Sequence, residues 1–370
     1  MPDFKEILGN EVLKEHFRTA IKQNKVSHAY ILEGEKGSGK KMIAAAFAKI
    51  LQCEERLRQA EGLVSESAED TVIQKDTGRN SGDYLEACGS CASCIQIEHK
   101  NHPDVIWVSH EKPGVISVSE IREQVVNTMD VMPYKGPYKI YIVDEAEKMN
   151  LAAQNAILKT IEEPPGYGII LLLTTNRGAF LPTILSRCIL LTVKPVDDNS
   201  IREYLTGRLH VSEKTADFCV GFSMGNLGKA TDAALSEDFE ELRQFAISVL
   251  QYIHEAEPYE LTQRVKEMKK WKESVGDFLD ILLMWFRDVL VLKLTGEDAE
   301  IIFHNAYPFL KKQSGLLSFE ALNEIFLEIE KTRARIRSNV NYDTSLEVLL
   351  LLISLRLLLM YLRSRTQTQK

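Results

Sequence analysis

The chain has 370 residues and a formal net charge of −8, and it is 45% hydrophobic and 26% charged. At about 150 residues per domain, this length predicts two or three domains with a substantial core, which excludes a peptide hormone, a knottin or a lone zinc finger. The acidic balance argues against a protein that holds nucleic acid through a basic surface over the whole molecule.

The sequence carries no signal for secretion or membrane anchoring. Its first residues are mixed and polar, without the apolar segment of a secretory signal. The longest apolar run, residues 348–362, contains Arg356. A bilayer span needs about 20 apolar residues, so this run is too short to cross a membrane. We therefore expect a cytoplasmic protein in a reducing compartment, without contact to a membrane, and interpret the run as a helix buried on all sides.

Short apolar runs alternate with amphipathic stretches through the first half of the chain. The runs are residues 29–32, 105–108, 140–143 and 169–174. Such alternation is typical of an α/β fold, a parallel sheet with helices on both faces. The last two runs lack polar residues at alternate positions, which predicts central strands buried on two faces.

Strand signals stop after about residue 195, and helical patterns follow one another. We predict long helices at residues 239–255, 259–272, 275–294, 319–337 and 344–362. Residues 54–87 are rich in Glu, Ser, Asp and Gly, which predicts a partly ordered excursion rather than core. The polar tail, residues 364–370, is predicted to fray.

A glycine-rich loop follows the first predicted strand and precedes a helical pattern at residues 42–51. In this context backbone N–H groups surround phosphate oxygens, and the loop lysine contacts the β and γ phosphates of a nucleotide. The candidate nucleotide-binding residues of the loop are Gly34, Gly37, Gly39 and Lys40. The next residue is Lys41, where a phosphate loop carries the Ser or Thr that binds Mg²⁺. The loop thus predicts a nucleotide-binding fold. The positive charge of Lys41 is expected to oppose the binding of Mg²⁺ in that site.

Two carboxylates, Asp144 and Glu145, end the predicted strand at residues 140–143. In a nucleotide site Asp144 would hold the water shell of the metal, and Glu145 would polarise the attacking water. Acids at the end of a strand are also common as solvated surface groups. The glycine-rich loop upstream favours the nucleotide site.

Three cysteines, Cys88, Cys91 and Cys94, follow one another at two C-x-x-C spacings. In a reducing compartment this pattern favours structural zinc, which takes four ligands in a tetrahedron. The candidates for the fourth ligand are Cys53, which we favour, and His99 or His102. Three free thiols or a redox motif are the other interpretation. A closed zinc site would fix the ends of the acidic excursion.

Further strings carry a family resemblance together with Cys53 and the cysteine triplet. They are residues 28–34, 102–104, 143–150, 155–165 and 185–188. This set resembles the subunits of the bacterial DNA polymerase III clamp loader. The resemblance is specific from about residue 4 to 196 and continues more weakly at residues 285–288 and 333–341.

The resemblance implies a domain plan and an assembly. The implied parts are an AAA+ P-loop domain at residues 1–196 with a zinc module at about 53–102, a helical lid at 197–238, a helical collar at 239–363 and a tail at 364–370. The collars of that family pack five subunits into a ring, which includes ATPase subunits and the delta subunit. The ring opens the sliding clamp and sets it on primed DNA.

The resemblance also gives Arg187 a role. Taken alone, an arginine in a Ser-Arg-Cys string is an ordinary surface residue, but in this family it projects toward ATP held by the neighbouring subunit. A guanidinium there neutralises charge that develops on the transferring phosphoryl group, as an arginine finger.

Two differences from the sequences of the motor subunits of the family indicate a stator, a subunit that does not hydrolyse ATP itself. Those subunits carry a hydroxyl residue where this chain has Lys41, and a lid arginine that senses the γ-phosphate where alignment places Gly228. We therefore predict a stator-type subunit in which ATP binding stays open, hydrolysis is not expected, and polymerase activity belongs to the holoenzyme. The alternatives are a hydrolysing AAA+ motor subunit of the same complex and a zinc-bearing nucleic-acid module.

Overall fold

The computed structural model describes residues 3–59, 86–296, 301–338 and 340–367. The chain divides into two compact units, one of residues 1–200 with 226–228 and one of residues 201–225 with 229–370. Of the acidic excursion predicted at residues 54–87, residues 60–85 lie outside the described part. The predicted boundary between lid and collar stays a prediction.

The first unit is built on a five-stranded parallel sheet with the strand order β2-β3-β4-β1-β5. The strands are β1 (Ala29–Glu33), β2 (Val105–Val108), β3 (Lys139–Val143), β4 (Gly168–Thr174) and β5 (Ile189–Thr192). The four strands predicted from apolar runs are confirmed. Every residue of β3 and β4 is buried, as expected for central strands.

Strand β5 is absent from the sequence prediction. It has four residues, pairs with β1 at the edge of the sheet, and alternates half-buried with exposed side chains. So short a run, with only one half-buried face, gives little periodic signal.

Helices of the first unit cover both faces of the sheet. They are α1 (Glu11–Lys22), α2 (Lys40–Gln52), α3 (Ala92–Glu98), α4 (Val118–Ile121, continued by the π-helical Arg122–Val126 and by Asn127–Met129), α5 (Leu151–Glu162) and α6 (Pro182–Leu185). Successive strand residues point to opposite faces. Tyr30 of β1 thus packs with Phe17 and Phe47, whereas Ile31 packs in a second core cluster with Ile157.

The described residues of the second unit form helices and no strand. In chain order the helices are α7 (Asp198–Glu203, which begins in the first unit), α8 (Glu213–Ser223), α9 (Leu227–Leu235, whose first two residues group with the first unit), α10 (Glu237–Tyr252), α11 (Pro258–Glu267), α12 (Val275–Thr295), α13 (Tyr307–Leu316), α14 (Phe319–Arg337) and α15 (Tyr342–Gln367). The helix predicted at residues 259–272 is interrupted: after α11 the chain continues as a 3-10 helix, Met268–Ser274, in which Trp271 has non-helical backbone angles.

Helix α15 differs from its prediction in burial and length. One stripe is buried in the unit, but a second apolar stripe is 39–53% exposed and comprises Val348, Leu351, Leu355, Leu358 and Leu359. The prediction of burial on all sides is therefore wrong, because composition does not tell which apolar side chains find a partner within the chain. The helix also continues to Gln367, past residue 364, where the frayed tail was predicted to begin. Within the described residues, no helix combines the length and apolar character needed to cross a membrane.

Candidate functional site

The glycine-rich loop connects β1 to α2. Gly37 and Gly39 have φ angles of 86° and 90°, in the left-handed region that favours glycine, and Gly39 directly precedes the first residue of α2. The loop lies at the carboxyl edge of the sheet, beside the N-terminus of a 13-residue helix. Both features suit an anion-binding loop.

The loop lysine is bound by the loop itself. Lys40 is 8% exposed, and its Nζ donates hydrogen bonds to the carbonyl oxygens of Gly34 and Glu35, each at 2.7 Å. Burial lowers the pKa of Lys40, against an opposing effect of the carboxylates of Glu147 and Asp144. The ammonium group therefore lies against the loop, with two backbone carbonyls as its acceptors.

Both carboxylates at the end of β3 are paired with lysines. Lys41 Nζ lies 2.5 Å from Asp144 Oδ2, and Lys148 Nζ lies 2.6 Å from Glu145 Oε2. Lys41 therefore neutralises the carboxylate that the sequence assigns to the metal, and brings a positive charge where Mg²⁺ would bind. These residues do not fit a hydrolysing Mg²⁺–nucleotide site.

Residues 226–228 pack directly on the glycine-rich loop. The Gly228 N–H donates to the Gly37 carbonyl at 3.2 Å, and Asn226 Nδ2 donates to the Lys36 carbonyl at 2.7 Å. A Cβ atom at Gly228 would lie 2.4 Å from the Gly37 oxygen. No side chain, and so no sensing arginine, fits at this position without a backbone shift. The sequence analysis gave no role to Asn226, which follows Gly225.

The four cysteines predicted as metal ligands lie together. The sulfur atoms of Cys53, Cys88, Cys91 and Cys94 are all within 4.8 Å of one another. Cys53 follows the last residue of α2, Cys91 precedes α3, and Cys94 lies in its first turn. Residues 53 and 94 are buried, so the cluster closes on its inner side. A Cys₄ set of this kind fits tetrahedral zinc.

Hydrogen bonds prepare Cys53 to be a thiolate. They lower its pKa, first through the thiol of Cys94 and then through the N–H groups of Cys88, at 3.3 Å, and Arg56, at 3.5 Å from the sulfur. The thiolate is the form that binds metal.

The two histidine candidates lie outside this cluster. The Nε2 atom of His102 is 3.3 Å from the Ser93 hydroxyl, and its Nδ1 accepts the Asp104 N–H at 3.1 Å. Both ring nitrogens are therefore engaged, and burial lowers the pKa of His102. His99 follows the end of α3 and is exposed.

Arg187 follows α6, with 39% of its side chain exposed. Its Nε lies 3.0 Å from Glu162 Oε1, and its Nη1 donates to the Thr183 carbonyl at 3.1 Å and to the Ser186 hydroxyl at 3.3 Å. The sequence analysis missed Glu162, although it lies in the string at residues 155–165. Burial raises the pKa of the next residue, Cys188, to about 12, so that thiol is neutral at physiological pH.

A comparison with models of protein families shows the family to which the chain belongs. Residues 9–77 and 71–197, together just over half of the chain, match the family model described as "DNA polymerase III, delta subunit". The chain belongs to this family.

Relatives of the family extend the similarity to most of the chain. DNA polymerase III subunit delta' of Bacillus subtilis is 26% identical over 326 residues, which cover 87% of this chain and 89% of the relative. Subunit tau of the same organism is 26% identical over 312 residues, 78% of this chain but 50% of the relative. The chain is thus a clamp-loader subunit of DNA polymerase III, of the delta' or the tau/gamma type. A solved gamma subunit-related protein of Thermotoga maritima covers 94% of this chain and 99% of its own, at 18% identity and a TM-score of 0.40.

Proposed function

We propose that this chain is the stator-type, delta'-like subunit of the clamp loader. It assembles with ATPase subunits and the delta subunit in a ring of five, which opens the sliding clamp and sets it on primed DNA. Its own contribution is assembly together with an arginine finger, Arg187, offered to ATP on the neighbouring subunit.

The state of the glycine-rich loop is the observation that carries this proposal. Lys40 binds loop carbonyls, Lys41 pairs with Asp144, and Gly228 contacts the loop backbone where a sensing arginine would stand. The pairing of Lys41 with Asp144 and the position of Gly228 oppose hydrolysis in the chain's own site. Meanwhile Arg187 keeps an exposed guanidinium, which suits a group that acts on a neighbour's nucleotide.

The second candidate is a hydrolysing motor subunit of the same complex. The similarity to subunit tau favours it, since that relative is as identical to this chain as delta' is over the aligned residues. The pairing of Lys41 with Asp144 and the contact of Gly228 with the loop weigh against it.

The test of the proposal is Arg187→Ala in the reconstituted complex. Turnover at the neighbouring site should fall by roughly 10²-fold or more, because an arginine finger contributes about 10³ to 10⁵ to the rate in related enzymes. DNA-stimulated ATPase activity of the purified ring measures this, and size-exclusion chromatography checks assembly. Arg58→Ala, which removes an arginine 73% exposed on the same unit, is the matched control. Unchanged turnover in an assembled Arg187→Ala ring would contradict the finger.

A further inference from the structure

The guanidinium of Arg187 is fixed along two of its three nitrogens. Nε faces the carboxylate of Glu162 at 3.0 Å, and Nη1 faces oxygens of Thr183 and Ser186. Within the described part of the chain, Nη2 has no acceptor. Since the side chain is partly exposed, the guanidinium keeps one nitrogen for an acceptor from outside the chain.

We propose that Glu162 is a positioning residue for Arg187. Its carboxylate holds Nε, so that Nη2 is presented to a phosphoryl oxygen of the neighbouring subunit. This inference rests on the proposed function, because it assumes that Arg187 acts in trans.

The placement of Glu162 suits such a role. It is the last residue of α5, a 12-residue helix that packs against the sheet through Ile157 and Ile161. The backbone of a packed helix holds the Cα atom of Glu162 in a fixed position. An arginine side chain without a partner, by contrast, samples many rotamers. Because the ion pair with Glu162 and the two hydrogen bonds of Nη1 act on the same guanidinium, together they favour one of these rotamers. If Arg187 is already aligned before the reaction, no rotamer entropy of its side chain is lost when the transition state forms.

The next residue, Glu163, provides a natural comparison. It has the same side chain, but it lies just past the end of α5, with backbone angles outside the helical region, and is exposed. Its side chain has no ion pair or hydrogen bond among the described residues. Removing Glu163 therefore changes surface charge as much as removing Glu162 does, without touching Arg187.

Two effects of Glu162 must be separated. Its negative charge weakens the pull of Arg187 on phosphate, whereas its oxygen orients the guanidinium. Glu162→Gln removes the charge and keeps an acceptor at Oε1, whereas Glu162→Ala removes both. Since Glu162 is 43% exposed, neither change disturbs the core, and both variants are expected to fold and assemble.

The experiment measures DNA-stimulated ATPase activity of rings reconstituted with each variant. We expect Glu162→Ala to lower kcat about three- to tenfold with an unchanged KM for ATP, because the lost interaction acts in the transition state. Glu162→Gln should stay within about twofold of the native kcat, as should Glu163→Ala. In an Arg187→Ala background, Glu162→Ala should have no further effect, since it acts only through Arg187.

The outcomes distinguish this inference from the function on which it rests. A native kcat in Glu162→Ala, or an effect that persists without Arg187, would overturn the positioning role while leaving the finger intact. A Gln variant as slow as the Ala variant would also overturn it, because orientation by the oxygen would then not matter. If Arg187→Ala itself left turnover unchanged, the proposed function would fail first, and this inference with it.

Discussion

Two neighbouring lysines at the start of α2 show how differently the same side chain can act. Lys40 is buried and binds two backbone carbonyls, whereas Lys41 is 57% exposed and pairs with Asp144. The sequence predicted the effect of Lys41, because a missing hydroxyl can be read at one position. It gave no sign that Lys40 turns back on its own loop, since that depends on the path of the backbone.

The contacts of Lys40 lead to a prediction about the isolated chain. We expect the purified chain, with Mg²⁺, primed DNA and clamp, to show no ATP turnover above background, and Lys40→Ala to leave it unchanged. The variant should instead lower the stability of the first unit by about 1–3 kcal/mol, because two carbonyls lose a charged donor. Calorimetry and a phosphate-release assay measure the two effects.

Lys36→Ala is the control for this experiment, since Lys36 is an exposed lysine of the same loop. Turnover that Lys40→Ala abolishes would identify a motor subunit and refute the stator proposal. A native melting temperature in Lys40→Ala would show that the two carbonyl contacts do not hold the loop.

At the scale of elements, the cysteine cluster depends on how helices end and begin. Cys53 lies at the end of α2, and Cys91 and Cys94 lie at the start of α3. Cys88 lies in the turn before α3, in which Gly89 has a φ of 71°. The spacing of Cys88, Cys91 and Cys94 predicted their convergence, because it is local. The fourth position stayed open between Cys53 and two histidines, since only the packing of α2 against α3 brings a distant residue in.

The cluster predicts metal binding by the purified chain. We expect about one zinc per chain, the content of a closed four-cysteine site. Cys91→Ser should lose the metal and lower the melting temperature, because the metal joins separate segments of the chain. Elemental analysis and thermal unfolding measure both.

Cys219→Ala is the control for zinc content, as it removes a buried thiol outside the cluster. A native chain that contains no metal, and whose melting temperature does not change with a chelator, would refute the zinc site.

At the scale of the whole molecule, the apolar stripe of α15 is a surface that none of the described residues covers. Side chains such as Leu351 and Leu355 recur at helical spacing along the stripe, while Leu349 and Ile353 are buried in the unit. Large apolar stripes of this kind often mark contacts with other proteins. We propose that the stripe belongs to the collar predicted at residues 239–363, in which neighbouring subunits would cover it.

Substitution within the stripe should separate folding from assembly. Leu355 is 53% exposed, so Leu355→Lys should leave the melting temperature of the isolated chain nearly unchanged. It should weaken binding to the other clamp-loader subunits by roughly tenfold or more, because a charge would enter an apolar contact. Co-purification and analytical ultracentrifugation measure the binding.

The same substitution elsewhere controls for surface charge. Leu294 on α12 is 65% exposed and lies outside the stripe, so Leu294→Lys should assemble like the native chain. Normal assembly of Leu355→Lys would show that this position does not take part in the ring.

Local chemistry and periodicity can be read from the sequence, and they predicted many of the structural features of this protein. They were sufficient for the parallel strands, the helical second half, the glycine-rich loop and the cysteine spacing, because neighbours in the chain produce each of these signals. They also showed that Lys41 stands where a phosphate loop carries the hydroxyl residue that binds Mg²⁺.

Contacts between distant segments were decided only by the tertiary structure. The edge strand β5, the meeting of Cys53 with the triplet, the contact of Gly228 with Gly37 and the pairing of Arg187 with Glu162 all join residues far apart in the chain. The exposed face of α15 is of the same kind, since burial depends on which other elements pack against a helix. Such contacts leave no periodic signal in one sequence, because they arise from the path of the whole backbone.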